Sequence, residues 1–81
     1  MKTITGAQVR AARALTRLSA QELADAANVG VATVRRTEAV DGKPNTTPAN
    51  LNAIRSALEA AGVEFIPENG GGVGTRLRDR E

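Results

Sequence analysis

Cysteine, histidine, tryptophan and tyrosine are missing from this sequence, and phenylalanine occurs once. Without cysteine there is no disulfide and no thiolate. Without cysteine and histidine together, the usual zinc ligand sets and the Ser/His and Cys/His nucleophile pairs are excluded. These absences remove most enzyme chemistry, so the expectation is a protein that is not an enzyme and needs no metal or cofactor. Long apolar runs are missing too. Nothing approaches the roughly 20 residues of a bilayer-spanning helix, and the opening MKTITG lacks the apolar stretch of a secretory signal. A cytoplasmic protein with no membrane partner is expected. Charge of one sign is scarce as well: eleven Lys and Arg against nine Asp and Glu leave a net +2, which permits an anionic partner without demanding one. A length of 81 residues is expected to make one small domain with a limited core.

What is present is helical punctuation. Thr5 and Gln8 have capping-box spacing, flanked by Ile4 and Val9 as a hydrophobic staple, so a helix should start at about Thr5. Val9, Ala12, Leu15 and Leu18 then recur on one face, and Arg10, Arg13 and Arg17 on another. Ser19 and Glu22 repeat the capping box, and Leu18 with Leu23 repeat the staple, so a second helix begins at once. It is short, because Asn28, a residue tolerant of the left-handed backbone, follows Ala27. Gly30 can cap a third helix over 31–39, with Val34 as its clearest buried position.

DGKPNTTP, residues 41–48, is a loop by composition, and Thr47-Pro48 supplies an N-cap followed by proline at the first position of a fourth helix. Leu51, Ile54, Leu58 and Ala61 line one face of that helix, and Gly62 is placed to end it. The period then changes. VEFI (63–66), PENGGG (67–72) and VGTRLR (73–78) read as strand, turn and strand, with Val73, Thr75 and Leu77 alternating against Gly74, Arg76 and Arg78. The triple glycine Gly70–Gly72 precedes no helix and no Gly-Lys-Ser/Thr, so it reads as a hairpin turn and not a phosphate cradle. Residues 79–81 should fray.

Two short helices joined at a sharp angle through an Asn turn describe a helix-turn-helix. Leu23, Ala24, Ala27, Val29 and Val34 stand where that motif needs apolar contacts. The stretch LSAQELADAANVGVATVRRTEA, residues 18–39, resembles the helix-turn-helix of the phage repressor/Cro superfamily, also called the XRE type. It keeps Ser19, Glu22-Leu23-Ala24, Val29, Thr33, Val34 and Glu38 of the family pattern. The resemblance covers residues 4–62, and the tail over 57–78 is similar to a subgroup of small bacterial regulators that append a β-hairpin. Asn28 departs from the usual turn glycine, Gly30 from the usual Ser/Thr cap, Ala20 from a frequent glutamine, and Thr37 from a larger apolar residue.

The resemblance implies a mainly α fold: a four-helix lambda-repressor-like helix-turn-helix domain over 1–62, with the motif at about 19–39. A C-terminal β-hairpin and basic tail, 63–81, would serve dimerisation. It also implies that helix three enters the major groove of double-stranded DNA. Carried over by position, Val31, Ala32 and Arg36 would contact bases. Arginine suits guanine O6 and N7, and small apolar side chains suit thymine methyls. Gln21, Gly30, Thr33, Arg35, Lys43, Asn45, Thr46 and Thr47 would contact the backbone.

Other residues have plainer expectations. Leu23, Val34, Leu51, Ile54 and Leu58 read as core, and Arg10, Arg13 and Arg17 as ion-pairing residues on the first helix before phosphate contacts. Arg76, Arg78 and Arg80 read as solvated or edge-protecting. An isolated hairpin is marginal, so its apolar face must pack on the helices, on a second subunit, or on both. Leu58, Val63, Phe65, Ile66, Val73 and Leu77 are therefore expected at a homodimer interface. The function implied is a dimeric transcriptional regulator, a repressor by default, on a pseudo-palindromic operator; RNA polymerase or another regulatory protein is a further candidate partner. The alternative is an antitoxin or anti-regulator acting mainly through protein contacts.

Overall fold

Thr5 opens the first helix as its spacing implies. Its hydroxyl accepts the Gln8 backbone N–H at 3.1 Å, and the Gln8 side-chain oxygen accepts the Thr5 N–H at 2.9 Å. The computed structural model describes residues 3–66 and 72–78, and this capping box begins α1 (Gly6–Thr16). The same reciprocal pair between Ser19 and Glu22 begins α2 (Ala20–Ala27), which Asn28 closes in the left-handed conformation at φ 59°. α3 (Val31–Glu38) follows Gly30, which supplies no side-chain cap, and α4 (Pro48–Ala60) follows Thr47, whose hydroxyl accepts the Asn50 N–H at 3.2 Å. Gly62, at φ 106°, turns the chain out of α4 into β1 (Val63–Ile66). β1 pairs antiparallel with β2 (Gly74–Leu77), Val63 standing opposite Leu77 and Phe65 opposite Thr75. Among the described residues the protein is mainly helical, four helices with one small hairpin. Gly70, Gly71, Arg80 and the expected fraying end lie outside the described residues.

Leu23, Val34, Leu51, Ile54 and Leu58 form the core that their period demands. Ala12, Ala24 and Ala27 are buried among them, and side chains this small let helix backbones approach closely. The hairpin closes one side by packing on α1 and α4, with Val63 and Phe65 in the same core. The Arg55 guanidinium lies 5.7 Å from the centre of the Phe65 ring, within cation–π range.

Three expectations need correction. Leu15 has the right period but is 41% exposed, because α1 ends at Thr16 and Arg17, left-handed at φ 61°, turns the chain away. β2 spans 74–77 and not 73–78, and Val73 and Leu77 on its apolar side remain 43% and 48% exposed. Leu58, Val63 and Phe65 are consumed by the protomer's own core and have no surface for a partner, which leaves Ile66, Val73 and Leu77 of the expected dimer set.

Two close connections hold the ends of the chain in place. A Cβ at Gly6 would collide with the Val40 carbonyl oxygen and lie 2.6 Å from that of Thr37. This approach lets the first amides of α1 find acceptors: Gly6 N–H donates to Gly42 O at 2.9 Å and Ala7 N–H to Asp41 O at 3.3 Å. The buried Gln8 side chain, besides capping α1, donates from Nε2 to Gly74 O at 2.8 Å and so ties the first helix to the last strand.

Candidate nucleic-acid interface

α2 and α3 are joined through Asn28, Val29 and Gly30, and the turn is closed by the backbone itself. Val29 N–H donates to Ala24 O at 3.0 Å, and Thr33 N–H to Gly30 O at 3.0 Å. Val34 and Thr37, one helical turn apart, face the core, so residues about half a turn away from them face out. Ala32, Arg35, Arg36 and Ala39 are accordingly exposed, while Val31 and Thr33 are half-buried at the margins. Val31 packs partly against the core, which leaves only its outer part for any contact. Arg36 reaches back to the Thr33 hydroxyl, Nη2 to Oγ1 at 3.4 Å. Among the described residues, neither Arg35 nor Arg36 has a carboxylate partner.

The loop before α4 is tied to α3 by a partly buried pair of hydroxyls. Thr37 Oγ1 donates to Thr33 O at 2.7 Å, which uses its only proton, so Thr46 must be the donor in the 2.6 Å contact between the two hydroxyls. Thr46 is thus an anchor for the loop, and the Thr47 hydroxyl is engaged as the N-cap of α4. Lys43 and Asn45 are exposed beside them. Gln21 is exposed on α2, but its amide donates to Asp25 Oδ1 at 2.9 Å, so a phosphate would compete with that carboxylate. The sequence places these residues in one region of the chain; it does not reveal the Thr37–Thr46 link, because a threonine at an apolar position gives no sign of its partner.

Two other arginines of this half are engaged by acceptors within the protein. Arg10 donates to Glu38 O at 2.6 Å and Val40 O at 3.2 Å, and it pairs with Asp41. Arg13 makes two bonds to the Glu38 carboxylate, at 2.8 and 3.1 Å, and one to Leu18 O at 3.1 Å. The hydrogen bond to Glu38 raises the Arg13 pKa, partial burial opposes this, and attraction to the Glu38 charge adds to it. Glu38 is the acid nearest in sequence to Arg35 and Arg36, and Arg13 holds it to the opposite side with its side chain only 10% exposed. The ion-pairing expected of Arg10 and Arg13 is present; Arg17 serves instead as the left-handed end of α1.

No protein-family model and no curated protein matches this chain.

Among the described residues there is no cluster of three or more His, Cys, Asp or Glu side chains able to hold a metal, and no helix is long and apolar enough to cross a membrane. What α3 and the following loop offer is two exposed arginines, an exposed lysine and short neutral side chains. Such a surface can donate hydrogen bonds to an anion and accept few.

Proposed function

We propose that the chain is a sequence-specific DNA-binding regulator of the phage repressor/Cro type, acting as a dimer and repressing by occupancy. In this reading α2 and α3 are its helix-turn-helix. The observation that carries the proposal is the sorting of charge around α3. Arg35 and Arg36 project without acid partners, while Glu38 and Asp41, the acids that could neutralise them, are held by Arg13 and Arg10. A surface helix that served only solubility would gain from intrahelical pairing at i, i+3 or i, i+4. Here the acid is withdrawn and the donors are left for a ligand.

The roles follow from position. Ala32 and Arg36, with the outer part of Val31, face base edges; Arg35, Lys43, Asn45 and the Gly30 end of α3 approach the sugar-phosphate chain. Thr33, Thr46 and Thr47 hold these groups in place through the hydrogen bonds described above, and Gln21 contributes only by releasing Asp25. Two copies would enter successive major grooves about 34 Å apart.

Selection of binding sites from random DNA tests the proposal directly, since it reads binding, half-site symmetry and base preference together. On a selected site, Arg36→Ala should cost about 1–3 kcal/mol and relax preference at one base pair, whereas Lys43→Ala should weaken all DNA alike and flatten the salt dependence. Equal losses on selected and random DNA for Arg36→Ala contradict base reading. Failure to enrich any site, with a stoichiometric protein partner captured instead, favours the antitoxin or anti-regulator alternative.

A further inference from the structure

A groove opens between three segments that sequence order keeps apart: Thr3–Thr5 ahead of α1, the 43–46 loop, and the first two turns of α4. It measures about 610 Å³, within the range of small-molecule sites, and is open to solvent along one side. Its walls are fixed to one another. The backbone bonds from Gly6 and Ala7 to Gly42 and Asp41 join the first wall to the second, and the Thr47 cap joins the second to the third.

The lining divides by chemistry. Ile4, Pro44 and Leu51 are buried and give the groove an apolar floor. Lys43 and Arg55 line it from two different elements, and among the described residues no Asp or Glu does. Lys43 has no hydrogen-bond or ion-pair partner among the described residues. Arg55 gives Nε to Glu59 at 3.1 Å and keeps the donors of its two terminal nitrogens. Thr5 accepts the Gln8 N–H in its capping box and still has its own hydroxyl proton to donate. An apolar floor beneath two cations and a hydroxyl donor is complementary to one kind of molecule, an anionic head on an apolar body.

We infer that this groove binds a small carboxylate with a compact aromatic or branched apolar body, its head held by Lys43 and Arg55 and its body on Ile4, Pro44 and Leu51. Glu59 offsets part of the Arg55 charge, so the site matches a single negative charge better than the double charge of a phosphate. The inference rests on the proposed function for one consequence only. Lys43 is there assigned to DNA phosphates, and a carboxylate that holds it competes with them. The bound molecule should therefore weaken all DNA alike and flatten the salt dependence, as removal of the lysine would. The groove is then an effector site, with the 43–46 loop shared between effector and DNA.

Benzoate and cyclohexanecarboxylate, titrated into the full chain without DNA and followed by amide shifts, test the site. Saturable shifts should gather at Thr3–Thr5, the 43–46 loop and the first two turns of α4, with an affinity on the order of millimolar for so few atoms. No saturable shift from either probe, or shifts spread over α2 and α3, overturns the site. Benzyl alcohol has the body without the charge, and inorganic phosphate the charge without the body; each should bind at least about fivefold more weakly than benzoate, and equal binding of either overturns the match. Arg55 also lies over Phe65, so Lys43, exposed and unpartnered among the described residues, is the cleaner position to change. Lys43→Met should weaken benzoate about fivefold with circular dichroism unchanged, and Lys43→Arg should retain it; a Met variant that binds as the wild type does counts against the site. On a selected DNA site, benzoate should lower the affinity of the wild type and not that of Lys43→Met, and benzoate bound in the groove with DNA affinity unchanged overturns the effector role. Failure to enrich any DNA site counts against the proposed function and leaves binding in the groove standing.

Discussion

Replacing Gly6 with alanine adds a methyl group where the carbonyl oxygens of Val40 and Thr37 already stand, and both belong to backbone that cannot rotate aside. Alanine is the better helix former by about 1 kcal/mol, but overpacking of this kind costs roughly 1–3 kcal/mol or more, and the steric effect should win. Gly6→Ala is thus expected to lower the urea midpoint with an unchanged m value. A gain in stability would mean that α1 and the end of α3 do not meet closely. Nothing in the sequence announces this contact. Apolar period tells which face of a helix is buried, and it is silent on which backbone the helix touches. Leu15 is the converse case: its period is right, yet α1 stops too soon for anything to cover it.

At the scale of elements, the four helices and the hairpin were legible because their ends carry local chemistry. Thr5 with Gln8, Ser19 with Glu22, Asn28, and Thr47 with Pro48 each satisfy or terminate the chain through near neighbours. The candidate surface was legible only in part, since the freedom of Arg35 and Arg36 depends on Arg13 capturing Glu38 from another helix. The hairpin adds a testable ion pair. The hydrogen bond from Arg76, reinforced by its charge, holds the Glu64 carboxyl below its ordinary pKa. A depressed pKa contributes stability above the unfolded value, and that contribution is lost as pH falls through the folded one. Acid titration should therefore weaken the hairpin through the carboxylate range, slightly because the pair is exposed, and less at high salt. Glu64→Gln should remove that part of the pH dependence, as read from the amide signals of β1 and β2. An unchanged titration in the variant would show that the pair does not matter to the hairpin.

At the scale of the whole molecule, a few polar links add to the apolar core by joining distant parts of the chain. Gln8 is the clearest, because one side chain caps α1 through Oε1 and holds β2 through Nε2. Gln8→Ala should therefore loosen the hairpin more than the helices, with faster hydrogen exchange at the β1 and β2 amides than in α4; uniform acceleration would point to simple loss of global stability. The amides of Gly6 and Ala7 give the chain a temporal order as well. Their acceptors, Gly42 and Asp41, arrive only after α3 has been made and has turned back. The first turn of α1 is then expected to lock only once that backbone is in place. Gly6→Ala should accelerate unfolding in stopped-flow measurements and leave the refolding rate nearly unchanged, the signature of a contact absent from the transition state. A helix whose first cap is local would thus still wait, to complete its opening turn, on carbonyls contributed from beyond α3.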